Sequence, residues 1–112
     1  MQIDHETAGD VCVVTAQGRL DGTTSGTFSE QVEKLIAGDR PKLLVDLGGI
    51  DFVTSAGLRA VLGVVKKVKA ARGILAVCGV RAEVQDILDI TGLSPMIQIY
   101  PQRSDGLAAL AI

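Results

Sequence analysis

Two hydrophobic rhythms divide this chain, and residues 42–73 carry the clearer pair. Lys42-Leu43-Leu44-Val45-Asp46-Leu47 is almost unbroken in apolar residues. A short apolar run between turn signals is the pattern of a central parallel strand, whose two faces are both covered. The stretch from Gly48-Gly49 to Gly57 reads as a tight turn. Leu58, Val61, Leu62, Val65 and Val68 then recur at steps of three and four, which predicts an amphipathic helix. Lys66, Lys67, Lys69 and Arg72 lie off that stripe, near the helix end, where cations complement the dipole. Gly73 is expected to stop the helix in the left-handed capping position.

The flanking sequence repeats the two rhythms. Residues 1–6 alternate weakly and read as an edge strand, and residues 7–10 as a turn. Val11-Cys12-Val13-Val14-Thr15-Ala16-Gln17 is rich in β-branched residues and predicts a strand, joined to the first as a hairpin. Residues 18–22 break it. Thr23, Thr24 and Ser25 offer three candidate caps for a helix that carries Phe28, Val32, Leu35 and Ile36 on one face. Residues 38–41 end that helix. Past residue 73, Ile74-Leu75-Ala76-Val77-Cys78 predicts a second buried strand. Residues 81–91 form a shorter helix, with Val84, Ile87 and Leu88 inward and Gly92 as its cap. Residues 96–100 predict a last strand stopped by Pro101, and Ser104-Asp105 caps a final helix through Leu107 and Leu110. Strands alternating with helices define an α/β domain with a mixed, mostly parallel sheet and about four helices. Four short helices shield one face of such a sheet only in part, which leaves an edge or a face for a partner.

Composition narrows the function classes. A chain of 112 residues, 47% apolar, builds one domain (1–112) with its own core. No apolar run reaches membrane-spanning length and no signal peptide precedes Met1, so a cytoplasmic protein is expected, with no membrane role. A formal charge of −2 and three aromatic residues, Phe28, Phe52 and Tyr100, argue against nucleic acid as a partner. Cys12 and Cys78 fall inside strands and read as buried small hydrophobes. His5 is the single histidine, so neither a metal site nor a Ser-His-Asp arrangement is expected. The Asp86 and Asp89 pair reads as an exposed helix face. No phosphate-binding glycine loop, dinucleotide fingerprint or nucleophile elbow occurs. The expectation is a protein that is not an enzyme and needs no cofactor.

What remains is Thr54-Ser55-Ala56-Gly57, two hydroxyls where the turn enters the helix. One reading makes a hydroxyl the N-cap, an arrangement that contributes about 1 kcal/mol. The other is a phosphate site, since helix N-termini favour anions through oriented N–H groups and the dipole. Gly57 would let a phosphate approach the backbone, and Arg59, one turn beyond Ser55, would pair with it.

These residues resemble the signature of the STAS domain. Asp46-Leu47 and the run from Ile50 to Arg59 are similar to its central motif, and more narrowly to the bacterial anti-sigma-factor antagonists. Gly18-Arg19-Leu20-Asp21 is similar to their Gly-x-Leu-Asp segment, and Asp89-Ile90-Thr91-Gly92-Leu93 to their helix end before the last strand. The order and spacing of the three are kept over nearly the whole chain. The resemblance implies a single STAS domain that works by partner switching. The family serine falls on Ser55; a partner kinase that is also an anti-sigma factor, with a histidine-kinase-like ATPase fold, phosphorylates it. The unphosphorylated antagonist holds that kinase and frees the sigma factor. A metal-dependent serine phosphatase resets the cycle. Thr54 stands where many members carry aspartate or serine, which makes it a second candidate acceptor. Asp21 matches an acidic residue beside the phosphoserine, and Asp21, Thr23, Thr54, Ser55, Ala56 and Arg59 are the candidates for the docking surface. Two alternatives remain open at this point: a stand-alone STAS module of a lipid-transport or stress-signalling complex, and a small nucleotide- or anion-binding protein.

Overall fold

In the computed structural model, which describes residues 1–92 and 94–111, the two rhythms become a five-stranded sheet and its helices. Leu93, part of the helix-end match, lies outside the described residues. The elements are β1 (Gln2–Ala8), β2 (Val11–Leu20), α1 (Ser25–Glu33), β3 (Lys42–Val53), α2 (Ser55–Ala70), β4 (Ile74–Cys78), α3 (Ala82–Ile90), β5 (Gln98–Tyr100) and α4 (Arg103–Leu110). Strand order follows the chain, β1-β2-β3-β4-β5. The β1–β2 hairpin is antiparallel and every other pair is parallel, because each later connection crosses back through a helix.

The alternation within each strand sorts the core into two layers. Val14, Ala16, Val45, Leu47 and Val77 face α1, α2 and α3 and meet Phe28, Val32, Val61, Val64, Val68, Val84 and Leu88. Val11, Val13, Leu44, Ala76 and Cys78 face the other way, and Leu110 of α4 closes over them. Three helices thus cover one face and a single eight-residue helix covers the other. In α2 the inward stripe includes Val64, while Leu62 is only half-buried and turns toward the rim.

Three expectations are corrected. β3 does not stop at Leu47 but runs on to Val53, paired through Gln17↔Gly49 and Arg19↔Phe52, with one extra β3 residue at each of two register shifts, opposite Thr15–Gln17 and Gly18–Arg19. Gly49 is therefore not a turn residue. A Cβ there would sit 2.9 Å from the Ala16 carbonyl, so glycine serves close strand approach. The left-handed residue after α2 is Arg72 (φ 62), not Gly73. Gly73 is needed because a Cβ would lie 2.2 Å from the Pro41 carbonyl oxygen, whereas the Arg72 guanidinium is held by Asp39 at 2.9 Å. The last strand begins at Gln98, since residues 94–96 form a turn of 3₁₀-helix.

One polar cross-link ties α4 to the sheet. Arg103 donates to Glu6 (3.1 Å), Thr15 (2.9 Å) and Asp46 (3.1 Å), joining β1, β2 and β3. Asp46 also accepts from the Gly48 N–H at 2.9 Å. Beside it the Cys78 thiol is pushed up to about 11, first by burial and then by the Asp46 charge, so it stays protonated at neutral pH. Charge-assisted bonds of this kind contribute about 1.5–3 kcal/mol when well shielded. The Arg103 side chain is 36% exposed, so Arg103→Met is expected to cost about 1–2 kcal/mol. Urea unfolding measures this, and an unchanged midpoint would make the cross-link energetically idle.

Candidate functional site

The site forms where β2 and β3 end together. Leu20 pairs with Val53, both side chains are buried under the helices, and the Leu20 carbonyl then accepts from the Thr54 N–H at 3.0 Å. That bond fixes the first residue outside the sheet. Thr54 is extended (φ −101, ψ 174), and its hydroxyl oxygen accepts from the Gly57 N–H at 3.4 Å. Thr54 is thus the N-cap of α2. The chain reverses within the next turn because Gly57 packs on the Leu20 carbonyl, where a Cβ would come within 2.3 Å. The room that Gly57 leaves is filled by backbone and is not open to an approaching phosphate.

This division of labour leaves Ser55 free. It is the first residue of α2 and is exposed, and its hydroxyl has no hydrogen-bond partner among the described residues. The N–H groups of a first helical turn point outward without intrahelical acceptors. The hydroxyl therefore projects from the positive end of a 16-residue helix. It makes no hydrogen bond with a titratable side chain among the described residues. Ala56 beside it is half-buried.

The loop after β2 supplies the acidic element. Asp21 Oδ1 accepts from the Thr23 N–H at 2.9 Å and from the Thr23 hydroxyl at 2.7 Å. Thr24 accepts from the Asp21 N–H and donates to the Arg19 carbonyl at 2.7 Å. These bonds, the Thr23 hydroxyl first, hold the Asp21 carboxyl below its usual range and keep it ionised. The Thr23 hydroxyl is thereby committed to Asp21. Of the three candidate caps, Thr24 takes the N-cap position of α1 but makes no capping side-chain bond to that helix.

On the other side of Ser55 an open groove of about 260 Å³ is lined by Ser55, Leu58, Arg59, Leu62 and Thr91. Arg59 is exposed on its rim and pairs with no carboxylate among the described residues. Ile90, at the end of α3, is 83% exposed beside Thr91. The structure thus brings Thr54, Ser55, Gly57 and Arg59 together around one helix start. The basic cluster farther along α2 does not belong to it: Lys67 pairs with Glu33 and Arg72 with Asp39. Sequence reasoning missed the groove, because Leu62 reads as a core position, and missed Phe52, which is 44% exposed under the Arg19 guanidinium at 4.6 Å. No alternation past residue 47 marks Phe52, because two register shifts space the inward residues Leu47, Ile50 and Val53 three apart.

The STAS domain family model matches residues 2–106, and the chain belongs to that family. It is 33% identical over 97 residues, 82% of this chain and 80% of the relative, to BtrV of Bordetella bronchiseptica, a protein assigned as an anti-sigma factor antagonist. It is 30% identical, over 100% of this chain and 97% of the relative, to an anti-sigma F factor antagonist of Paenibacillus polymyxa. The fold matches an anti-sigma-factor antagonist (STAS) domain protein from Planctomyces limnophilus with a TM-score of 0.88 at 23% identity, covering 98% of each chain. No helix among the described residues is long and apolar enough to cross a membrane.

Proposed function

We propose that this chain is an anti-sigma factor antagonist switched by phosphorylation of Ser55. Unphosphorylated, it binds an anti-sigma factor that is also a serine kinase of the histidine-kinase-like ATPase fold, and so releases the sigma factor. Phosphate on Ser55 ends the complex, and a metal-dependent serine phosphatase restores it. The observation that carries this reading is the exposed Ser55 hydroxyl, left free because Thr54 takes the capping bond. The two relatives at 30% identity or more, which bear the antagonist name, support the same class.

Asp21, Thr23, Ala56 and Arg59 are the surroundings of the phosphosite in this reading. Thr54 is the poorer acceptor, because modifying its hydroxyl would remove the cap of α2. The domain acts as a cytoplasmic binding module, without turnover of its own.

Intact mass spectrometry with fragmentation, on protein purified from its own cells, tests the reading. The expected result is a species heavier by one phosphate, mapped to Ser55 and absent from Ser55→Ala. A protein that carries no phosphate under any growth condition would sink the switch.

A further inference from the structure

We propose that the face around the Ser55 groove is self-complementary and pairs with a second copy of this chain, in a two-fold dimer that covers Ser55. This goes beyond the functional reading above and does not depend on the switch. The first observation is an apolar knob beside an apolar hole. The groove of about 260 Å³ is walled by Leu58 and Leu62 of α2 and by Thr91 at the end of α3. Ile90, the residue before Thr91, is 83% exposed, whereas no other large apolar side chain among the described residues exceeds 44%. Knob and hole on one face let each copy fill the groove of the other, which is the pattern of an isologous contact.

The second observation is charge, and it names the occupant. The charged residues of α2 are Arg59, Lys66, Lys67 and Lys69, with no acid among them, and those of α3 are Glu83, Asp86 and Asp89, with no base. Lys67 is held by Glu33, and Asp89 by Ser94 and Gln85. Arg59, Lys66, Glu83 and Asp86 are exposed and have no ion-pair partner among the described residues. One surface thus carries an unneutralised basic helix and an unneutralised acidic one. A partner of a single sign would match one helix and repel the other. The same surface turned about a two-fold axis sets α2 of one protomer on α3 of the other and matches both. Asp86 lies one turn before Ile90 on the exposed side of α3, so Asp86 approaches Arg59 on the rim when Ile90 enters the opposite groove. Ser55 lines the groove that is filled, so only the monomer leaves it open to modification. The interface is small, and a Kd of about 10–100 μM is expected.

Sedimentation velocity over a concentration series, at low and high salt, tests this on the wild type and four variants. The wild type is expected to dimerise, and to do so more weakly at high salt. Ile90→Asp, Arg59→Glu and Asp86→Arg should each weaken the dimer by at least about 10-fold, since every contact occurs twice. Their Tm should stay within a few degrees of the wild type, because all three side chains are exposed. The double variant Arg59→Glu/Asp86→Arg should recover most of the affinity, which a damaged fold would not do. A wild type that stays monomeric up to about 1 mM overturns the proposal, and loss of affinity for the serine-kinase anti-sigma factors of its source organism in Ile90→Asp would then assign the face to that partner. A dimer unchanged by Ile90→Asp, or one that the double variant does not restore, overturns it as well. None of these results touches the phosphorylation of Ser55.

Discussion

A Ser55→Asp variant is expected to fold as the wild type does and to bind the kinase roughly 30- to 100-fold more weakly. The two halves of that result have separate causes. Inside the domain the new charge is welcome. It sits at the first position of α2, where the dipole and the outward N–H groups favour an anion by typically 0.3–1 kcal/mol. Asp21, ionised at the neighbouring loop and partly exposed, adds repulsion that its pairing with Arg19 and the water around Ser55 screen. The fold should therefore keep its circular dichroism and lose at most a degree or two of Tm. At the interface the balance reverses. A carboxylate buried against a partner loses its water, and like charges brought together cost several kcal/mol. A loss of about 2–3 kcal/mol corresponds to the expected factor. Phosphoserine, with a charge of roughly −1.5 to −2 and greater bulk, should act more strongly than aspartate. An unfolded Ser55→Asp, or one with full affinity, would show that the switch works by another route.

Much of this was legible from the residues, and the exceptions share one physical origin. The apolar run 42–47, the strand 74–78 and the α2 stripe except at Leu62 appear where expected, because burial on both faces or on one stripe writes itself into periodicity. Glycines were read wrongly where their role is contact between distant segments. Gly49 lets β3 pass Ala16, and Gly73 lets the chain pass Pro41; local reading knows only turns and caps. At the site, the sequence supplied two hydroxyls without deciding which one caps. The choice depends on the Leu20 carbonyl, more than thirty residues upstream, which fixes Thr54 and hands it the capping role. The groove beside Ser55 was hidden for the same reason: Leu62 and Thr91 meet only after α3 has packed against the sheet.

Gly57→Ala should damage fold and site together through a single methyl. In an isolated helix the change would stabilise by about 1 kcal/mol, since alanine is the better helix former. Here the added carbon would lie 2.3 Å from the Leu20 carbonyl oxygen and 2.9 Å from its carbon and from the Leu20 Cγ. The obstacle is backbone inside a strand pair and cannot rotate away. Either α2 withdraws from the end of β2, or Leu20 gives up the Thr54 N–H that it accepts at 3.0 Å. Overpacking of this kind costs about 1–3 kcal/mol, and the lost hydrogen bond about 1 more. Net of the helix gain, a loss of about 2 kcal/mol is expected, a fall in Tm of roughly 8 °C. The functional loss should exceed what stability alone explains, because either escape moves the start of α2 and with it Ser55. Phosphorylation by the partner kinase should therefore slow even at temperatures where the variant is fully folded. Unchanged Tm together with an unchanged phosphorylation rate would mean that Gly57 does not set the position of the phosphosite.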